Sequence, residues 1–258
     1  MENTVKLHNK VAEITLFFWL LKIVATTLGE TLGDFISMTL NLGYAVGIAI
    51  TLAFFAAALF TQLSVKKFTP AIYWLVIIGT TTLGTEISDF IDRTLHIGYA
   101  GGSIILVSCL ILTLIYWYRK YKNLEVFPIH ERSKETLYWT AILFSNSLGT
   151  AFGDSLGDNF GLSYMQGAMF TGGIIIVVVL LHYLTKINSV VLFWIAFVFT
   201  RPFGATFGDF LTKPLAKGGL DLGTLNASIV SILLMTTLIV ISQRKYRKSS
   251  KHPLEQKQ

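Results

Sequence analysis

The sequence predicts an all-α, polytopic membrane protein with eight transmembrane helices, built as four parallel two-helix repeats related by pseudo-symmetry about the membrane normal. Three observations predict it. Of 258 residues, 53% are apolar and only 14% charged, against about 25% charged in a soluble domain. Mean hydropathy is +0.61, and apolar runs of ~20 residues, the length that crosses a bilayer, recur from end to end. Tryptophan, glycine and aspartate recur at fixed spacing in four of those runs. This balance excludes a secreted disulfide scaffold, a nucleic-acid-binding domain and an ordinary cytosolic enzyme. The single Cys109, inside an apolar run, leaves no intrachain disulfide and no cysteine metal cluster.

The first helix is expected over 11–34. It follows MENTVKLHNK as a signal peptide's core would, but Lys22 interrupts it and no A-x-A pattern follows, so it reads as a retained span. The second, over 42–63, is a smooth run ended by Lys66 and Lys67. The third, over 70–91, ends in acids, and the fourth, over 98–118, stops at Arg119. The fifth, over 136–156, again ends in glycine and aspartate, and the sixth, over 163–184, ends in LLHYL. The seventh, over 188–210, carries Arg201 and Pro202, and the eighth, over 222–242, is a smoother run ending in LLMTTLIVI.

Lysine and arginine set the orientation, because positive loops stay in the cytoplasm. Sixteen lie on the side of both termini, from Lys6 and Lys10 to the tail residues Arg244, Lys245, Arg247, Lys248, Lys251 and Lys257. Only Arg93, Lys213 and Lys217 lie on the other side. Both termini are therefore expected in the cytoplasm, with 243–258 as a basic tail explained by orientation and solvation.

Internal repetition is the strongest signal. Trp19, Trp74, Trp139 and Trp194 align without gaps with Gly29, Gly84, Gly149 and Gly204, and with Asp34, Asp89, Asp154 and Asp209. The copies are expected over 11–65, 66–120, 131–185 and 186–242 of a single membrane domain, the last with about five extra residues around Pro214–Gly219. Two spans per copy send every copy across the membrane in the same direction. On these motifs the chain resembles a family of bacterial integral membrane proteins of unknown function, built from four tandem two-helix repeats, each with a characteristic tryptophan. The resemblance covers roughly 11–242 and implies eight helices in a bacterial inner membrane. It implies no activity.

The motifs read LGETLGD, LGTEISD, LGTAFGD and FGATFGD. Glu30 with Asp34, Asp154 with Asp158, and Glu86 with Asp89 and Asp92 are at helical spacing and share a face. Carboxylates facing lipid are costly, so they should face one another or a wet cavity. Gly29 with Gly33, Gly149 with Gly153, and Gly204 with Gly208 are small-xxx-small pairs that let helices approach, as Gly84 would in copy two. From Lys10 to Asp34 is 24 residues, or about 36 Å of straight helix, which places the aspartates at the outer edge of a ~30 Å core. An acidic outer vestibule narrowing into a polar passage is expected. Lys22 and Arg201 lie deeper, as counter-ions or as internal cations that alternate with a transported one. Thr26, Thr81 and Asn146 share their level as pathway-lining groups.

Carboxylates and hydroxyls without cysteine or clustered histidine suit hard cations. The expected function is transport of a proton, alkali ion or hard divalent metal ion, with proton coupling as one mode. Glu30, Asp34, Glu86, Asp89, Asp154, Asp158 and Asp209 are the expected cation-binding or pathway groups, and no metal is specified. The tryptophans are expected to support packing between repeats. The alternative is a non-transporting scaffold or sensor in which the motifs serve packing. An enzyme is not expected: the G-x-G-D pattern of intramembrane aspartyl proteases, a Ser–His pair and HExxH are all missing. The expected partners are the lipid bilayer and a small cation, with no nucleic acid and no cofactor, in a monomer or homodimer.

Overall fold

The computed structural model describes residues 9–255, with side chains through Tyr246. Lys6 and Lys257 lie outside the described residues, as do the side chains of Arg247, Lys248 and Lys251. The described residues form eight α-helices and no strand: α1 Leu16–Asp34, α2 Tyr44–Ser64, α3 Pro70–Asp89, α4 Gly98–Tyr121, α5 Arg132–Asp158, α6 Tyr164–Leu184, α7 Ser189–Thr212 and α8 Thr224–Glu255. Six of them, all but α3 and α5, are long and apolar enough to cross a membrane. In α3 the run Thr80, Thr81, Thr82, Thr85, Glu86 and Asp89 dilutes the apolar content, and in α5 Ser145, Asn146, Ser147, Asp154 and Asp158 do so.

Two boundaries differ from the sequence expectation for physical reasons. The first helix starts at Leu16, not near residue 11, with the Thr15 hydroxyl accepting from Phe18 N–H at 3.2 Å. The preceding residues find tertiary partners instead. Lys10 N–H donates to Ile129 O at 3.0 Å and Phe68 N–H to Asn9 O at 2.7 Å, while Gln62 Nε2 donates to Lys10 O at 2.9 Å. The Lys10 ammonium pairs with buried Glu135. At the other end, α8 continues past residue 242 into the basic tail. Helices α1 and α3 each pass into a π-helical turn, Phe35–Thr39 and Phe90–Thr94. Both then reverse at matching residues of positive φ, Asn41 and His96.

The inner helices close on themselves. α1 packs on α3, α3 on α5, α5 on α7, and α7 back on α1. Each outer helix packs chiefly on the inner helix of the following copy: α2 on α3, α4 on α5, α6 on α7 and α8 on α1. The repeats are thus interlocked, and none is a separate unit. Outside the ring, Leu52, Phe60, Ile104, Leu112, Met169, Ile176 and Leu233 are exposed, an apolar belt far beyond the patches that water-soluble monomers show.

Motif glycines set the ring's tightness. A Cβ on Gly29 would collide with Thr81, one on Gly204 with Thr26, and one on Gly149 would lie 2.5 Å from Arg201 Cβ. On Gly84 it would lie 3.0 Å from the Ser147 nitrogen and 3.2 Å from Asn146 Cβ. In every copy the glycine meets the residue seven positions after the next copy's tryptophan. The close approach lets hydroxyls bond between helices: Thr81 Oγ1 donates to Ala25 O at 3.1 Å and Thr26 Oγ1 to Thr200 O at 3.2 Å.

Candidate functional site

Inner-helix residues four apart fall on one helix face, and inside the ring they stack as layers. The layer at the tryptophan end is Phe18, Tyr73, Tyr138 and Phe193, all buried. The two tyrosine hydroxyls meet at 2.5 Å and the two phenylalanine rings at 6.3 Å. Next come Lys22, Ile77, Ile142 and Phe197, fully buried, with the Lys22 ammonium 4.0 Å above the Phe197 ring.

The third layer is Thr26, Thr81, Asn146 and Arg201, also fully buried. Here side chains reach across the ring. Lys22 Nζ donates to Asn146 Oδ1 at 2.8 Å, from the first copy to the third, and Asn146 Nδ2 donates to Thr80 Oγ1 at 3.0 Å. Arg201 Nη2, from the fourth copy, donates to Thr85 in the second at 2.6 Å and to Glu30 in the first at 2.7 Å. Glu30 and Thr85 belong to the fourth layer with Thr150 and Ala205. Lys22 and Arg201 therefore plug the middle of the column.

The four motif aspartates form the fifth layer, each less than a tenth exposed. They are drawn into two pairs by two cations. Lys213 Nζ lies 2.6 Å from Asp34 and 3.0 Å from Asp209, and Arg93 lies 2.9 Å from Asp154 and 3.6 Å from Asp89. Lys213 stands just beyond α7. Burial opposes its charge, but Asp209 and Asp34 outweigh burial and hold the ammonium's pKa above its usual value, so it is charged near neutrality. Above this layer Met38, Arg93, Asp158 and Lys213, with Asp154 and Asp209, line an open cavity of about 260 Å³.

Of the sequence-predicted acids, Glu30, Asp34 and Asp209 come together, each offering an oxygen within 4.8 Å of the others. Asp89 and Asp154 join through Arg93. Glu86 does not face the column: its carboxylate takes the Ser37 hydroxyl and fills the space left by Gly47, on the α1–α2 side of α3. Asp158 accepts from Tyr99 Oη at 2.6 Å at the cavity wall, and Asp92 faces Ser88 and Gly102. Gly33 faces Thr85, Gly153 faces Ala205 and Gly208 faces Glu30. Trp74 and Trp139 are buried with Tyr73 between them, and Trp194 Nε1 donates to Leu124 O at 3.2 Å; Trp19 sits edge-on to Phe18.

Sequence reasoning counted Arg93 and Lys213 only as outer-side charges. The missed signal is that each follows a motif aspartate by four residues, one helical turn, in the even copies alone. Several buried polar atoms in and beside the column have no hydrogen-bond partner: Asp154 Oδ1, Thr27 Oγ1, and Nε and Nη1 of Arg201, while Asp89 Oδ1 and Asp209 Oδ1 have only their ion-pair contacts with Arg93 and Lys213. Such atoms are costly in a dry interior and mark places for water or an ion.

The four copies match the model of one family, described as Repeat of Unknown Function (DUF347), over residues 17–68, 72–123, 137–188 and 192–247. No curated protein and no solved structure matches the chain.

Proposed function

The chain belongs to the Repeat of Unknown Function (DUF347) family, and from its own residues we propose that it is a membrane transporter of small hard cations or protons. The observation that carries this reading is the charge of the ring. Five buried carboxylates of the column (Glu30, Asp34, Asp89, Asp154 and Asp209) face four basic groups, Lys22, Arg201, Arg93 and Lys213, a formal excess of one negative charge. Protons or cations are the species that neutralise such an excess at least cost.

In this reading the apolar belt faces lipid and all eight helices span a bacterial inner membrane. The repeats run parallel about the membrane normal with both termini in the cytoplasm. The aspartate layer and its cavity then form the outer vestibule. The Lys22 and Arg201 contacts are a barrier in the middle, and the aromatic layer closes the cytoplasmic end. Nothing in the ring requires a second subunit, since α7 closes on α1.

The scaffold reading is favoured by one observation: Arg93 and Lys213 each tie two inner helices together, as purely structural clasps would. One experiment separates the two. Protein in proteoliposomes is assayed for flux of Mn²⁺, Mg²⁺, Ca²⁺, Na⁺ and K⁺ with and without a pH gradient. A variant with Asp34, Asp89, Asp154 and Asp209 all changed to Asn is run beside it. Transport predicts flux in the wild type that the folded variant loses. Equal flux in the folded variant rejects these acids as the pathway, and a wild type without flux favours the scaffold.

A further inference from the structure

We propose that Glu86 is a proton-binding site set beside the column, and that its proton exchanges against the transported cation. The inference rests on the cation-transport reading and names its coupling group. Each of the five column carboxylates has a basic partner in Arg201, Arg93 or Lys213. Glu86 has none among the described residues. It is 1% exposed; one oxygen takes the Ser37 hydroxyl, and the other, Oε1, has no hydrogen-bond partner. That orphan oxygen points towards Gly33 of α1, where a Cβ would lie 3.6 Å away, and is sealed from solvent. An unpaired carboxylate there is far costlier than a neutral carboxyl, and a proton is the ligand that needs no further room.

The surrounding elements offer no substitute for that proton. α2, which covers Glu86, contains no charged residue. The charged groups of α1 that act on it, Asp34 and Glu30, are both acids, and Asp89 on its own helix is held by Arg93. α5 and α8 also pack on α3, but they carry their lysines and arginines at the tryptophan end, from Arg132 and from Arg244 respectively.

The repeats supply a second, independent observation. Twelve residues past each tryptophan, Glu86 matches Thr31, Ala151 and Thr206. These positions meet an outer helix. Gly47 of α2 abuts Glu86 as its counterpart Gly167 of α6 abuts Thr206, and Thr31 accepts from the Ser228 hydroxyl of α8 at 3.0 Å. Three copies make the contact with a methyl or a hydroxyl, so packing does not require a carboxyl in the fourth instance. Its one donor, Ser37, stands in the π-helical turn Phe35–Thr39, a feature that the third and fourth copies lack. A buried ionisable group without a packing role marks function in a membrane helix.

Linkage gives the coupling its direction. Loss of the proton leaves a bare carboxylate beside Asp34 and Glu30, which like charge opposes. A cation held among the column acids offsets that opposition, so cation entry favours release of the proton to water, and protonation favours release of the cation. One positive charge replaces another, and the two fluxes run in opposite directions.

The first test reads the proton. In an infrared difference spectrum of full-length protein in detergent at neutral pH, wild type minus Glu86→Gln should show the carbonyl stretch of a protonated carboxyl. Glu86→Thr, which gives the second copy the residue of the first and fourth, serves if the Gln variant does not fold. Dicyclohexylcarbodiimide reads the wild type alone: it adds to a carboxyl that carries its proton and rearranges to a stable N-acylurea with no atom lost. Mass spectrometry should find Glu86 modified about tenfold or more faster than the ion-paired Glu30. A missing band, or equal modification of the two, would overturn the site.

Proteoliposomes test the coupling. The ratio of cation flux with an opposing pH gradient to flux without one should exceed one in the wild type and fall to one in Glu86→Gln. A ratio that survives the change rejects the exchange. A protonated Glu86 without flux of any cation would keep the proton site and reject transport, and flux with no proton on Glu86 would do the reverse.

Discussion

Arg93 and Lys213 hold the same place in alternate copies: each lies four residues past its own motif aspartate and bridges it to the aspartate of the next copy, Asp154 or Asp34. The ring is therefore clasped twice, at α3–α5 and at α7–α1, and the two clasps differ in exposure. The Arg93 side chain is 35% exposed, which screens its pairs and weakens them. Breaking a fully buried pair by removing one partner costs about 3–5 kcal/mol. Arg93→Gln is expected to cost less, about 1–3 kcal/mol, in denaturant unfolding in micelles. A neutral result would mean that the aspartates it bridges reach water without it.

The glycine contacts predict a position-dependent series. Gly29→Ala drives a methyl into Thr81, and overpacking of this kind costs about 1–3 kcal/mol. Adding Thr81→Ala should restore only part of that, because it removes the hydroxyl but leaves the residue's own Cβ 2.5 Å and its carbonyl carbon 2.9 Å from the new methyl. Gly173→Ala on α6 meets nothing within 4 Å. It should be neutral or stabilising by about 0.5–1 kcal/mol through helix propensity. Thermal unfolding of the three variants side by side reads the contrast, and a destabilised Gly173→Ala would break the packing argument.

How much of this was legible in the sequence differs by length scale. The eight helices follow from apolar run length, and the four copies from ungapped tryptophan, glycine and aspartate spacing, because those signals are local. The pairing of each outer helix with the next copy's inner helix was not legible, since apolar runs such as α2 and α4 carry no mark of which neighbour they cover. The site shows the same divide. Asp34 and Asp209 stand 175 positions apart in the sequence, and only closure of α7 on α1 makes them neighbours. Glu86 was grouped with Glu30 because each lies about a turn before its aspartate. Its offset of three rather than four residues turns it to another face, towards Ser37 and Gly47. Lys213 was legible only as one of three outer charges.

The Arg201–Glu30 pair should show strong coupling. Both side chains are buried, at 0% and 4% exposure, and the bond is 2.7 Å. Arg201→Met alone leaves Glu30 uncompensated and should cost about 3–5 kcal/mol. Glu30→Gln alone leaves a buried guanidinium facing only neutral acceptors, the new amide oxygen and Thr85, without a counter-charge, with a similar cost. The double variant removes both charges, so its cost should fall well below the sum, with a coupling of about 1–3 kcal/mol in a double-mutant cycle. Additive costs would mean that water, not the partner, compensates each charge.

The aromatic layer predicts a leak. Tyr73 and Tyr138 meet hydroxyl to hydroxyl inside a layer completed by Phe18 and Phe193, beyond which the column becomes polar at Lys22. If cations pass along the column, this layer is what stops free passage at the tryptophan end. Tyr73→Phe removes only the hydroxyl contact, keeps the ring, and should leave passive flux unchanged, with a stability loss of about 1 kcal/mol. Tyr73→Ala with Tyr138→Ala removes both rings and opens a void that polar Lys22, Asn146 and Thr80 can hydrate from one side. Proteoliposomes carrying that double variant should show cation leak down a gradient without any coupling ion, where the wild type and Tyr73→Phe do not. A tight double variant that still transports would place the closure elsewhere. The nearest candidate is then the Lys22–Asn146 contact, and Asn146→Ala becomes the variant expected to leak.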